Sequence, residues 1–554
     1  MSSNLPPFGP PSGPPPPPYQ PTPEVLERGS GGPVPPGTKS AGAGRRRALI
    51  AGGSVVGLLA VGAGAFAVWS AFFATGPQPA EALPDSTIGY VSIDLDPSGK
   101  QKLEALEALK KFPAFEDAVE LNTDDDLRLR LFELAQDDGV CNDLDFGDDV
   151  EPWLGNRFAL AAVDLGKQDD EGNAVPTVVG VIQVEDSDAA EEGFAKLRDC
   201  ADSSVSGDED RSESEMGGWF IEGEWAVIAE TEELAQEVSD AAQESPLSED
   251  DDFQKWTDEA GDPGILTAYA SPAAGDFLVD AVAGVETDEM RAVFEGFEGA
   301  AVTVRFDDGA LEVEAASSTD YLGLDSIAAT DRGDDVLATL PADTAIALGL
   351  GFEEGWFNEV VDYASNFSGG LFDIDEAIAE VEDETGMSLP EDAETVTGES
   401  AAISIGSDFD PLAFEDGADP DELPIGLKIK GDPDAIAGVL DKVLEQVDAS
   451  NEILDAFGYA SEGDYVVAGL SDDYTEQLID DGELGDSEVY QDVVRESENA
   501  SSVLFVNFDA GDWLVEVAQD DDELRENLEP LSALGISVWT DDDVSHSVLR
   551  ITTE

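Results

Sequence analysis

The chain repeats itself, and the repeat limits its fold more than any other feature. LPDST at 83–87 opens one copy and LPADT at 340–344 opens a second. Gly155 before FALAAV corresponds to Gly398 before SAAISIG, and Glu222-Gly223-Glu224-Trp225 corresponds to Glu462-Gly463-Asp464-Tyr465. Gly275-Asp276-Phe277-Leu278-Val279 corresponds to Gly511-Asp512-Trp513-Leu514-Val515. The blocks keep one order and their offset drifts slowly, as small loop deletions produce. Residues 83–320 and 340–554 therefore share one fold, with 321–339 as a connector.

Each copy gives the same string of elements. Alternating strands follow the openings (88–95 and 344–351). A helical stretch comes next, with Leu103, Leu106, Leu109 and Phe112 spaced three apart in copy one. Two strands follow (156–165 and 176–185; 400–407 and 424–430), and then a helix. In copy two that helix starts at Asp432-Pro433, an N-cap followed by proline at the first helical position. Ile436, Val439, Leu440, Val443 and Val447 fit one of its faces. A hairpin turns at Glu222-Gly223 or Glu462-Gly463. A strand (265–270; 503–508) and a last hairpin close each copy, turning at Asp307-Asp308-Gly309 or Asp541-Asp542-Asp543. About eight strands per copy, mixed with helices and joined largely as hairpins, predict an α+β fold of mostly antiparallel sheet. The expected architecture is two tandem copies of this unit behind one N-terminal transmembrane helix. The repeat leaves open whether the copies are two domains or halves of one.

That helix is expected over 48–73, ALIAGGSVVGLLAVGAGAFAVWSAFF, an uncharged run long enough to cross a bilayer with some tilt. Arg45, Arg46 and Arg47 precede it, so residues 45–73 form an Arg-flanked span with the N-terminus inside and the C-terminal mass outside. Ala80-Glu81-Ala82 offers small residues at cleavage-like spacing, and Arg46-Arg47 also resembles a twin-arginine export signal. Residues 1–44 hold 14 prolines and are expected to be a disordered cytoplasmic tail, with 74–82 a short linker.

Charge decides which partners fit. The chain has 125 Asp+Glu against 26 Lys+Arg, and residues 1–82 contain only three of the acids and five of the bases. The remainder repels phosphate backbones, which excludes nucleic acid as a partner, and it repels anionic headgroups too. Self-repulsion at this density destabilises a compact state unless counterions screen it. At roughly 1 M salt the Debye length is about 3 Å, so the penalty largely vanishes. The melting temperature is therefore expected to rise from low to molar salt. A flat salt series would refute this halophilic-type reading of the surface.

LPDSTIGYVSIDLDPS (83–98), KKFPAFED (110–117) and Glu151-Pro152-Trp153-Leu154-Gly155, with the Arg-rich entry and QPAEALP (78–84), together resemble one known group. It is the actinobacterial membrane-anchored proteins of domain-of-unknown-function family 3352. The resemblance implies an actinobacterial host. It brings no established activity, cofactor or catalytic residue.

Cys141 and Cys200 are the only cysteines. An even count outside the cytoplasm predicts a disulfide, the alternative being two buried thiols. Asp94, Asp96 and Ser98 alternate ahead of Gly99 like the first half of a calcium loop. The closing acid is misplaced, Glu104 standing one position early, and Pro97 is awkward there, which favours a strand end followed by a capped helix. His546 is the only histidine, so a histidine triad or multi-histidine zinc site is excluded. No phosphate-binding glycine loop or nucleophile elbow is present. No cofactor is called for. The expected function is a non-enzymatic envelope protein that binds or scaffolds an unidentified partner and is attached to the membrane through 48–73. The alternatives are a carboxylate enzyme with an inter-copy cleft and a divalent-cation binder, with raised carboxyl pKa values in a pocket marking the enzyme.

Overall fold

The computed structural model describes residues 78–554 apart from 96–98, 115–126, 138–140, 169–171, 173, 205–216, 276, 278–295, 319–329, 369–373, 413–418, 447–455, 481, 512, 519–520 and 542. Copy one supplies β1 (Thr87–Asp94), β2 (Leu154–Val163), β3 (Thr177–Val184), β4 (Gly218–Glu222), β5 (Trp225–Ala229), β6 (Leu266–Ala270), β7 (Ala300–Asp307) and β8 (Ala310–Ser318). Copy two supplies β9 (Ile346–Gly351), β10 (Ser400–Ile405), β11 (Ile425–Lys430), β12 (Gly458–Glu462), β13 (Tyr465–Gly469), β14 (Ser502–Asn507), β15 (Leu531–Asp541) and β16 (Val544–Thr553). The hairpin turns β4–β5, β12–β13 and β7–β8 have Gly223, Gly463 and Gly309 at positive φ, the conformation a tight turn demands and glycine allows.

The expectation of two tandem sheet units does not hold. All sixteen strands form one antiparallel sheet, ordered β12-β13-β11-β10-β9-β14-β15-β16-β8-β7-β6-β1-β2-β3-β5-β4. Among the described residues no helix is long and apolar enough to cross a membrane. The run 48–73 and its three arginines lie outside the described residues.

From its outer edge inward, copy one runs 4-5-3-2-1-6-7-8 and copy two runs 12-13-11-10-9-14-15-16, the same order strand for strand. The copies join where β8 pairs with β16. Aligning the two last hairpins on their turns makes Glu314 and Val548 equivalent, and these two residues face each other across the seam. Glu312 faces Arg550, and Ala316 faces His546, which is Glu312's equivalent. A local twofold therefore passes through the Glu314–Val548 pair. Edge-to-edge pairing gives the last strands sixteen-strand continuity in place of two exposed edges.

Strand alternation then sorts the side chains. One apolar row crosses all sixteen strands on one face, from Tyr459 in β12 through Ile403, Leu348, Leu549 and Val313 to Phe158 and Ile221 in β4. Helices Gly99–Leu109, Ser187–Ser204 and Pro433–Gln446 pack on this face. The other face carries two larger cores. Tyr90, Val181, Val227 and Trp256 centre the first, under helices Glu232–Glu244 and Asp251–Glu259. Ala347, Val467, Phe505 and Tyr490 centre the second, under helices Asp334–Leu337, Asp472–Ile479 and Glu488–Val493. Thr231, Asp250, Ser471 and Ser487 cap four of these five helices through side-chain acceptors.

The seam itself is ionic. Glu312 is 4% exposed and takes Arg550 Nη1 and Arg305 Nη2 at 2.5 Å each. Arg305 also bridges to Glu314, and Arg550 donates to the backbone carbonyls of Asp307 at 2.9 Å and Asp492 at 2.7 Å. His546 lies in the same face, stacked on Trp539 with ring centroids 5.1 Å apart.

Candidate functional site

A partly enclosed space whose mainly apolar lining carries a few polar groups lies on copy one, over β1, β6 and β7, with a volume of about 290 Å³. Alternation on β1 turns Tyr90, Ser92 and Asp94 to this face. Register then sets Ser92 beside Thr267 and Thr267 beside Thr303, a row of three hydroxyls on adjacent strands. Helix Asp251–Glu259 roofs the space with Phe253, Thr257 and Asp258, and Gln78, Pro79 and Ala80 close one side. Gly264 completes the wall; a Cβ there would stand 2.1 Å from the Val304 carbonyl oxygen, so only glycine fits.

Asp94 and Arg157 sit across the β1–β2 register, and Arg157 Nε donates to Asp94 Oδ2 at 2.5 Å. They are 6% and 5% exposed. The guanidinium lies against the buried carboxylate and meets its charge. The Tyr90 phenol is hydrogen-bonded with Ser92 and the Ala80 backbone, and burial pushes its pKa well above the ordinary value. It is a permanent neutral hydroxyl. Thr303 is 2% exposed, and among the described residues neither its hydroxyl nor that of Thr267 has a hydrogen-bond partner.

Copy two does without this space. Aligning the LP openings places Ala347, Gly349 and Gly351 where copy one has Tyr90, Ser92 and Asp94, and Gly155/Gly398 places Ser400 where it has Arg157. A Cβ on Gly349 would meet the Gly333 carbonyl oxygen at 2.3 Å and Leu337 at 2.9 Å. Ser400 Oγ donates to the Arg332 carbonyl at 2.8 Å. Residues 330–340 have thus filled in copy two the volume that copy one keeps open. A fold that needed the cavity for its own stability would carry it twice.

Of the calcium-loop residues, Asp94 is engaged by Arg157, while Asp96 and Ser98 lie outside the described residues. Among the described residues no group of three or more His, Cys, Asp or Glu is placed to hold a metal ion. Cys141 and Cys200 form the disulfide expected of them. The copies meet in a paired seam rather than a cleft. Burial raises the pKa of Asp334, hydrogen-bonded to Tyr490, but Asp334 lines neither this cavity nor the wider one beside Phe352 and Trp356. That wider cleft, about 540 Å³, opens to solvent between largely exposed glutamates.

The model of a family described as "Protein of unknown function (DUF3352)" matches residues 50–419, more than half of the chain. The chain belongs to the DUF3352 family. The match spans copy one, the connector and β9–β10, so the Asp94–Arg157 cavity of this DUF3352 protein lies wholly inside it. No curated protein and no solved structure matches the chain.

Sequence reasoning singled out Asp94 and missed Arg157, Tyr90 and Thr303. The signal was available in the copy-to-copy comparison. Where copy one has Tyr, Ser, Asp and Arg, copy two has Ala, Gly, Gly and Ser.

Proposed function

We propose that this DUF3352 protein is a non-enzymatic binding protein of the cell envelope, held at the cell membrane with its sheet domain outside. The observation that carries the binding role is the partly enclosed, hydroxyl-bearing cavity kept in copy one and filled in copy two. Small-molecule sites are concave, largely preformed and furnished with a few convergent polar groups, and volumes near 300 Å³ mark the small end of that range. The Asp94–Arg157 pair supports binding over cation capture, since the guanidinium already satisfies the carboxylate.

Location is supported by the sequence run 48–73 behind Arg45, Arg46 and Arg47, and by a disulfide, which persists in oxidising compartments. The resemblance of the entry segment and the 83–98 motif supports an actinobacterial source. Protease added to intact cells is expected to degrade the sheet domain while leaving cytoplasmic markers whole. A sheet domain that survives until the cells are lysed would overturn the placement.

A further inference from the structure

The cavity's chemistry narrows what it holds, and this step rests on the binding role proposed above. Ser92, Thr267 and Thr303 give three hydroxyls in a row, each able to donate and accept. Those of Thr267 and Thr303 have no protein partner among the described residues. A buried hydroxyl left without a hydrogen bond costs on the order of 1–3 kcal/mol, so an apolar occupant is disfavoured. Anions are disfavoured as well. Asp94 and Asp258 stand in the wall, and the nearby guanidinium of Arg157 is committed to Asp94. Tyr90 and Phe253 supply ring edges and faces on the remaining side, their centroids 5.6 Å apart.

We infer that the copy-one cavity binds an uncharged polyhydroxyl molecule of about monosaccharide size. Hydroxyls on the ligand match a wall of hydroxyls that both donate and accept, and the Asp258 carboxylate at the rim, which only accepts, takes the ligand's donors. A ring of C–H groups matches the aromatic side. The size follows from a volume of about 290 Å³.

The test uses the full-length chain in detergent and molar salt, titrated by calorimetry with glucose, myo-inositol and glucuronate. At least one neutral polyol is expected to bind one per chain, with glucuronate at least tenfold weaker. Thr303→Val keeps the wall's shape and removes a hydroxyl. It is expected to weaken the neutral ligand about tenfold, the size of one lost hydrogen bond with its partner left unpaired, at unchanged melting temperature. Thr267→Val provides the same reading at a less buried position. Glucuronate binding as tightly as the polyols, with the same sensitivity to Thr303→Val, would sink the ligand class and leave the cavity as a binding site. Polyol binding indifferent to both valine variants, or no binding by any of the three, would overturn the inference. The protease result on intact cells stands apart from either outcome.

Discussion

Glu312→Gln is expected to lower the unfolding free energy by about 3 kcal/mol or more, although it removes one negative charge from a chain whose net charge is −99. On charge count alone, any such neutralisation relieves repulsion and stabilises. The seam reverses the sign. Glu312 is 4% exposed and Arg550 is 3% exposed, and the carboxylate is shared between Arg550 and Arg305 at 2.5 Å each. An amide in its place leaves buried guanidiniums short of their counter-charge, and removing one member of a buried pair costs about 3–5 kcal/mol. Asp308→Asn is the matched control. Its partner Lys100 lies 3.0 Å away, but their side chains are 76% and 64% exposed, and solvent-exposed pairs contribute about 0–1 kcal/mol. Urea unfolding in molar salt measures both. A Glu312→Gln midpoint equal to that of Asp308→Asn would show that the seam charges are not buried in solution.

Reduction of the Cys141–Cys200 bond, or the Cys200→Ser substitution, is expected to cost about 4 kcal/mol in the chain-entropy account of a loop with this separation of 59 residues. Cys200 lies on helix Ser187–Ser204, whose Phe194 packs on Trp153 with ring centroids 4.8 Å apart. Cys141 precedes the turn that carries Phe146 and Val150 into the same core. The bond therefore ties a loop and a helix across one satellite core of copy one, and copy two has no counterpart. Unfolding with and without reductant, followed by the fluorescence of Trp153 and Trp219, gives the difference. Identical midpoints would mean that this core holds without the bond.

Local features of the fold were legible because local chemistry sets them. Glu222-Gly223, Glu462-Gly463 and Asp308-Gly309 mark hairpins since a glycine there adopts positive φ freely. Asp432-Pro433 opens a helix because an N-cap acceptor and a fixed φ suit its first turn. The duplication was legible as repeated blocks. The joint was not, because pairing β8 with β16 brings together Glu312 and Arg550, charged residues far apart in sequence that look like ordinary surface positions in an acidic chain. The candidate site escaped for the same reason. Asp94 was read as a strand end ahead of a helix, as β1 and helix Gly99–Leu109 show, but its partner Arg157 emerges only from the β1–β2 register. Residues 330–339 looked like part of a connector, and only packing reveals them as the filling of copy two's cavity.

The pairing of β8 with β16 also limits growth. A twofold joint is isologous: each unit contributes the same edge, and forming it consumes both. Two separate units could meet, part and exchange partners through that edge. Once both are written into one polypeptide, the edge is spent within the molecule and cannot recruit a third unit. The sheet's remaining ends are β4 and β12, whose hairpins close on Glu222 and Glu224 and on Glu462 and Asp464. Like charges at both free ends discourage stacking of one molecule on the next.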